Sequence, residues 1–160
     1  MKPNPFTGTE DPAVLADIEA IEQEYSFVLP EDYKVHILQH NGGSPERSIF
    51  VEVRPDGEQT PRDISDFYSV RYGVSTLEDS LDAFYDQLHH DLVAFGSDAS
   101  GDQFVLSVGP QDYGSVYYIS HEFYKPPKRK DKKLPRQYGN GVSFLAPSFT
   151  AFLNGLVGEP

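Results

Sequence analysis

The sequence predicts an α+β fold in a single domain: a mostly antiparallel sheet flanked by N-terminal, inserted and C-terminal helices. Three observations carry that expectation. Apolar residues recur at helical spacing near both ends of the chain, as Val14, Ile18, Ile21 and Tyr25 and then as Phe149, Phe152, Leu153 and Leu156. Between them, Leu92 to Val108 reads as two strands around the polar turn Asp98-Ala-Ser-Gly-Asp102, with Phe104, Leu106 and Val108 alternating against Gln103, Val105 and Ser107. A chain of 160 residues suits one core and is short for two.

Taken in order, residues 1–10 carry two prolines and few apolar side chains, which predicts a flexible or loosely docked arm before a domain at 11–160. Asp11-Pro12 is a good helix start, with Asp at the N-cap and Pro at the first helical position. Pro30 breaks that helix and begins a second, with Glu31 and Asp32 in its first turn and Tyr33, Ile37 and Leu38 on its apolar side. Asn41-Gly42-Gly43 ends it, since these residues tolerate left-handed backbone. Ile49, Val51 and Val53 alternate with polar neighbours and predict a strand that turns at Pro55-Asp56-Gly57.

A polar loop containing Thr60-Pro61 follows, and then an aromatic strand over Asp66 to Tyr72. Ser75 and Glu78 fit a capping box for a third helix carrying Leu77, Leu81, Phe84 and Leu88. After the central hairpin, Val116 to Ile119 gives a further strand. Residues 121–141 form a long basic connection, expected to be mobile. Val142 to Ala146 returns to the sheet, and Ser148 caps the last helix.

The charge is unevenly spread. Net charge is −12, from 13 Lys and Arg against 25 Asp and Glu. Seven bases (Lys125, Lys128, Arg129, Lys130, Lys132, Lys133, Arg136) share one segment with Asp131, so the rest of the chain holds 6 bases and 24 acids, a net −18. Such a body repels phosphate and attracts basic partners. The basic segment is expected as an exposed loop and not as a nucleic-acid-binding element, because no aromatics interleave its bases. The sequence contains no cysteine, which removes disulfides, thiolate nucleophiles and zinc–cysteine sites. No apolar run approaches the ~18 residues of a membrane span. A cytoplasmic location is the expectation that follows.

Candidate chemistry is weak throughout. His89-His90 sit about 100° apart on a helix, pointing away from one common ion, and are expected at a solvated helix end. His121-Glu122 begins like a zinc-protease motif, but Lys125 stands where the second His belongs. Asp98 to Asp102 lacks the spacing and closing Glu of a calcium loop. No Gly-X-Ser-X-Gly elbow is present. No catalytic residue, metal or cofactor is expected.

The order of these signals resembles the SUKH superfamily. The resemblance rests on Leu29-Pro30-Glu31-Asp32-Tyr33-Lys34 followed by Asn41-Gly42-Gly43. It continues through Leu92-Val-Ala-Phe-Gly96 with Asp98 and Gly101-Asp102, then Gly114-Ser-Val-Tyr117, then Ser148-Phe149 before Phe152-Leu153. That family groups fungal cell-wall-assembly regulators with bacterial immunity proteins. It implies a single α+β domain with a non-catalytic binding role, with Phe104 in the core where many relatives carry Trp or Cys. The expected function is an immunity protein that neutralises a cognate toxin, expected to be basic, with a nuclease as one such toxin. The alternative is a regulatory or scaffold protein for endogenous partners. Asp63, Asp66, Tyr68, Asp98, Asp102, Asp112 and Glu122 are the candidate partner-binding residues of the acidic surface, with no role for nucleic acid or membrane.

Overall fold

A computed structural model describes residues 3–125 and 141–159. The strands are β1 (Phe6–Thr7), β2 (Ser44–Pro45), β3 (Ile49–Val53), β4 (Gln59–Asp63), β5 (Asp66–Phe67), β6 (Leu92–Ser97), β7 (Gln103–Ser107), β8 (Val116–Ile119) and β9 (Val142–Ala146). The helices are α1 (Leu15–Tyr25), α2 (Glu31–Gln39), α3 (Leu77–Ala83) and α4 (Phe149–Asn154). The fold is α+β, as the alternating patterns predict. Strands β5 to β9 form one antiparallel sheet in sequential order, and β3–β4 forms a separate hairpin whose first strand lies beside β9.

The sheet buries both faces. Val93, Phe95, Phe104, Leu106, Val116 and Tyr118 share the main core with Ile18 and Ile21 of α1, Tyr33 and Ile37 of α2, and Phe149 and Phe152 of α4. The alternate residues Leu92, Ala94, Val105, Tyr117 and Ile119 form a second cluster with Leu88 and Phe84. Two-sided burial explains why Leu92 to Phe95 is a continuous apolar run instead of an alternation.

The central turn takes the predicted form. Gly101 has φ of +94° with nothing within 4 Å of where a Cβ would lie, so the position is demanding in backbone and open in space. Gly101→Val is therefore expected to cost about 1–3 kcal/mol through left-handed strain alone. Urea denaturation of the variant measures this, and unchanged stability would refute it.

Several local expectations give way to tertiary contacts. Helix α1 starts at Leu15 with Val14 as its N-cap, not at Asp11-Pro12; Val14 is exposed and Ala13 is buried in its place. On α2, Leu38 is exposed and His36 takes the inward position. The stretch read as a polar loop around Thr60-Pro61 is strand β4, which places Pro61 opposite Val51. Because among the described residues β4 pairs only with β3, the missing N–H of Pro61 leaves no described ladder incomplete. The expected strand from Asp66 to Tyr72 is regular only over Asp66–Phe67, since the backbone of Val70 is drawn off by the Asn41 side chain. Thr76, not Ser75, caps α3, accepting from the Asp79 amide at 3.1 Å, while Glu78 accepts from Arg71 N. That helix ends at Ala83 instead of running on to Leu88.

The expected loose N-terminal arm is docked where it is described. Phe6 and Thr7 pair with Pro45 and Ser44, and Asn4 both donates to Arg47 O and accepts from Arg47 N at 2.8 Å. Of the basic connection expected over 121–141, residues 126–140 lie outside the described residues.

Phe6 stacks on His40 and meets His36 edge-on, both at 5.0 Å between centroids, and Phe67 and Phe149 complete the wall around His36. Burial, and then the neighbouring His40, push the His36 pKa down to about 4. The unfolded chain binds this proton near the ordinary value of about 6.5 while the folded protein does not, so stability is full above that pH and falls as pH drops toward 4. From about pH 7 to pH 5 the loss should be about 2 kcal/mol. Urea midpoints across that range test it, read against His36→Leu; an equally steep fall in the variant would contradict the assignment.

Candidate protein-binding surface

The β6–β7 turn folds around one carboxylate. Asp98 Oδ1 accepts from Ser100 N at 2.9 Å, Ser100 Oγ at 2.7 Å and Asp102 N at 2.9 Å, and Asp98 N donates to Asp102 O at 2.9 Å. This is an Asx-type turn, as the local sequence implies. From β8, Tyr118 reaches across and its hydroxyl lies within hydrogen-bonding range of both Asp98 Oδ2, at 2.7 Å, and Asp102 Oδ2. A phenol has one proton, so it serves one of the two carboxylates at a time. His121 supplies more: its amide donates to Asp102 Oδ1 at 2.8 Å and its ring Nδ1 meets the same oxygen.

The electrostatics follow. Burial pushes the Asp102 carboxyl up, but hydrogen bonds from Tyr118 and His121 outweigh it and hold Asp102 below the ordinary carboxylate range. Burial, then the adjoining Asp102 and Asp98, push the Tyr118 phenol well up, so it stays protonated. The arrangement therefore fixes an anionic turn in one conformation.

The β3–β4 hairpin braces the other side. The Arg62 guanidinium lies 4.2 Å over the Tyr118 ring and pairs with buried Glu52, its Nε and Nη2 both converging on Oε1 at 2.8 Å. Arg54 Nε stands 3.5 Å from the other Glu52 oxygen. Sequence reading missed Glu52, Arg62, Tyr118 and His121. Only the paired acids Asp98 and Asp102 beside a glycine gave a local signal; the others come from strands whose meeting no local pattern encodes.

Register places most of the predicted partner-binding residues at one end of the sheet. Asp66 sits opposite Ser97, Ser97 opposite Gln103, and Gln103 opposite Ile119, which leads into His121 and Glu122. Asp66, Asp98, Asp102 and Glu122 thus lie along one rim, and Asp63 joins it through the Ser65 N to Ser97 O bond of 2.9 Å. Asp63, Asp66 and Glu122 are exposed. Ser48 Oγ donates to Asp63 at 2.5 Å and Ser44 Oγ to Asp66 at 2.9 Å.

Tyr68 is half-buried and donates to Gln103 Oε1 at 2.5 Å, while Gln103 Nε2 donates to Gly101 O at 3.0 Å. It thus supports the turn from beneath. Asp112 is at the far end of the sheet, where it accepts from Ser107 Oγ at 2.5 Å and Tyr117 OH at 2.6 Å and ties down the β7–β8 connection.

His89 does not lie at a solvated helix end. It is buried, and its Nδ1 accepts from Asp91 N at 3.2 Å, because α3 ends at Ala83 and His89 lies in the connection of residues 84–91 that leads into β6. Among the described residues no group of three or more His, Cys, Asp or Glu is placed to hold a metal ion. No described helix is long and apolar enough to cross a membrane.

In comparisons with known proteins, the family model described as SMI1 / KNR4 family (SUKH-1) matches residues 12–155. No curated protein sequence matches the chain.

Proposed function

The chain belongs to the SMI1 / KNR4 family (SUKH-1), and from that premise we propose that it is a non-catalytic protein-binding module whose acidic sheet end neutralises a basic toxin domain in the cytoplasm. The observation that carries the proposal is the rim of Asp63, Asp66, Asp98, Asp102 and Glu122 around a turn locked by Tyr118 and His121. A rigid anionic edge presents charge without a conformational cost on binding, and on a body of net −18 outside residues 125–136 it steers a cationic partner toward it. Blocking a basic groove that itself recognises phosphate requires acidic groups held in a fixed array, which this turn supplies.

The test pairs the protein with the toxin domain encoded beside it. Co-purification and rescue of growth are expected, with affinity that falls as salt rises. Exchanging Asp63, Asp66 and Glu122 together for Lys should weaken the complex by about 100-fold, chiefly through slower association, while leaving the fold intact because all three side chains are exposed. Absence of rescue against every neighbouring toxin would overturn the assignment, and a regulatory role on endogenous proteins would replace it. A complex indifferent to the triple exchange would move the binding surface away from this rim.

A further inference from the structure

A pocket of about 370 Å³ lies where the end of α1 meets α3 and the start of β6. Helix α1 stops at Tyr25, since Ser26 takes left-handed backbone with φ of +57°, and α3 stops at Ala83. Neither helix therefore runs on to fill the space beside β6. Buried Leu88, Leu92 and Ala94 form the floor, and half-buried Phe27, Leu81 and Phe84 form the walls. Ser80 also lines the floor, but its hydroxyl gives its proton to Ala94 O, at 2.9 Å, or to Leu77 O, at 3.0 Å. A molecule resting there meets mainly carbon.

The rim is anionic. Glu24 lines it, and the Tyr25 hydroxyl beside Glu24 donates to Asp82 of α3, which brings a second carboxylate to the mouth. Both acids are exposed. The C-terminal end of α1 opens on the pocket with its partial negative charge, and no basic residue stands in its last turn. Among the described lining residues none is Lys or Arg.

We propose that this pocket binds a free small molecule with a flat apolar body and a cationic amine. The body lies on Leu92 and Ala94, and the amine sits between Glu24 and Asp82. Rings on three sides, Phe27, Phe84 and Tyr85, favour a flat body. The volume falls within the range of about 300–1,000 Å³ usual for small-molecule sites, and the lining has their mixture of apolar surface and few polar groups. The site is separate from the proposed partner surface. It lies at the Leu92 end of β6, whereas the acidic turn follows Ser97, roughly 17 Å along the strand at about 3.3 Å per residue.

The probes are tryptamine, its neutral isostere tryptophol and the anion indole-3-acetate, titrated into the isotopically labelled full chain at low salt. His89 and His90 also line the pocket, so the titrations are made near pH ~8, above the ordinary imidazole range of about 6.5. Amide shifts should concentrate on residues 24–27, 80–85 and 92–94. Tryptamine should bind in the millimolar range or tighter, as suits a molecule of about twelve non-hydrogen atoms. It should bind about fivefold more tightly than tryptophol, with indole-3-acetate the weakest of the three.

Ala94→Leu fills the floor and should abolish binding of all three probes. Glu24→Gln combined with Asp82→Asn should bring tryptamine to within about twofold of tryptophol. This pair keeps the test valid if Ala94→Leu misfolds, because both positions are exposed and Asn retains an oxygen for the Tyr25 hydroxyl. Shifts located elsewhere, or no saturable binding of tryptamine by about 10 mM, would overturn the proposal. So would equal binding of indole-3-acetate, or a preference for the amine that survives the double exchange. Displacement of tryptamine by the cognate toxin domain would overturn it as well, by giving the pocket to the protein partner.

Discussion

Phe152→Ala is expected to lower the free energy of unfolding by about 3–5 kcal/mol, the usual cost of emptying a fully buried aromatic site. Phe152 has no exposed surface and stands among five rings: Phe50 stacked at 5.2 Å, Phe95 edge-on at 5.5 Å, and Phe104, Phe149 and Phe67 at 5.8, 6.3 and 6.4 Å. These neighbours come from β3, the sheet, α4 and β5, so no single element can shift to fill the void. A domain of this size loses roughly 2–4 °C of melting temperature per kcal/mol, so the transition should fall by about 10 °C or more. Thermal unfolding followed by near-ultraviolet circular dichroism measures it. Phe123→Ala, at a residue 68 % exposed, is the control; equal shifts in the two variants would refute the assigned core.

Asn41→Ala should cost about 2–3 kcal/mol, although it removes only three heavy atoms. The Asn41 side chain donates to Asp11 O at 2.8 Å and Val70 O at 2.9 Å and accepts from Val70 N at 2.7 Å. It thus stands in for a strand, satisfying the backbone of a residue with no solvent exposure. Truncation leaves the Val70 N–H buried and unpaired, a loss that typically costs about 1–3 kcal/mol, and strips one of two donors from its C=O, which still accepts from Tyr72 N at 2.8 Å. Asn41→Asp separates chemistry from size: it keeps the bond from Val70 N but sets a carboxylate against two carbonyl oxygens, so it too should be strongly destabilised. Urea unfolding of both variants is the measurement. A loss below about 1 kcal/mol in either would show that the bracket contributes little.

Asn41 also shows where sequence reasoning stops. Asn41-Gly42-Gly43 reads as a helix stop, and Gly42 and Gly43 do take φ of +78° and +92°. That much is local steric preference. Gly42 further packs so close to Ser69 that a Cβ would lie 2.8 Å from its side chain, and Asn41 holds a residue 29 positions away; neither fact has a local signature. The expected surface has the same division. Asp98 and Asp102 with Gly101 announced a turn, and the turn formed, but its gathering with Asp63, Asp66 and Glu122 depends on strand register.

By itself, then, the sequence determined the class of fold, the central hairpin, the left-handed glycines, the Ser148 cap and the acidity of the body. All of these depend on residues within a few positions of one another or on a simple sum of charge. Tertiary structure alone decided that a proline-bearing polar stretch is β4, that α1 begins at Leu15, that His36 and His89 are buried, and that Arg62 lies over Tyr118. Each of those outcomes turns on which distant segment arrives to supply hydrogen bonds or exclude water. Burial and pairing between remote segments follow from how the whole chain closes on its core, and they can override the local preference of a few residues by several kcal/mol.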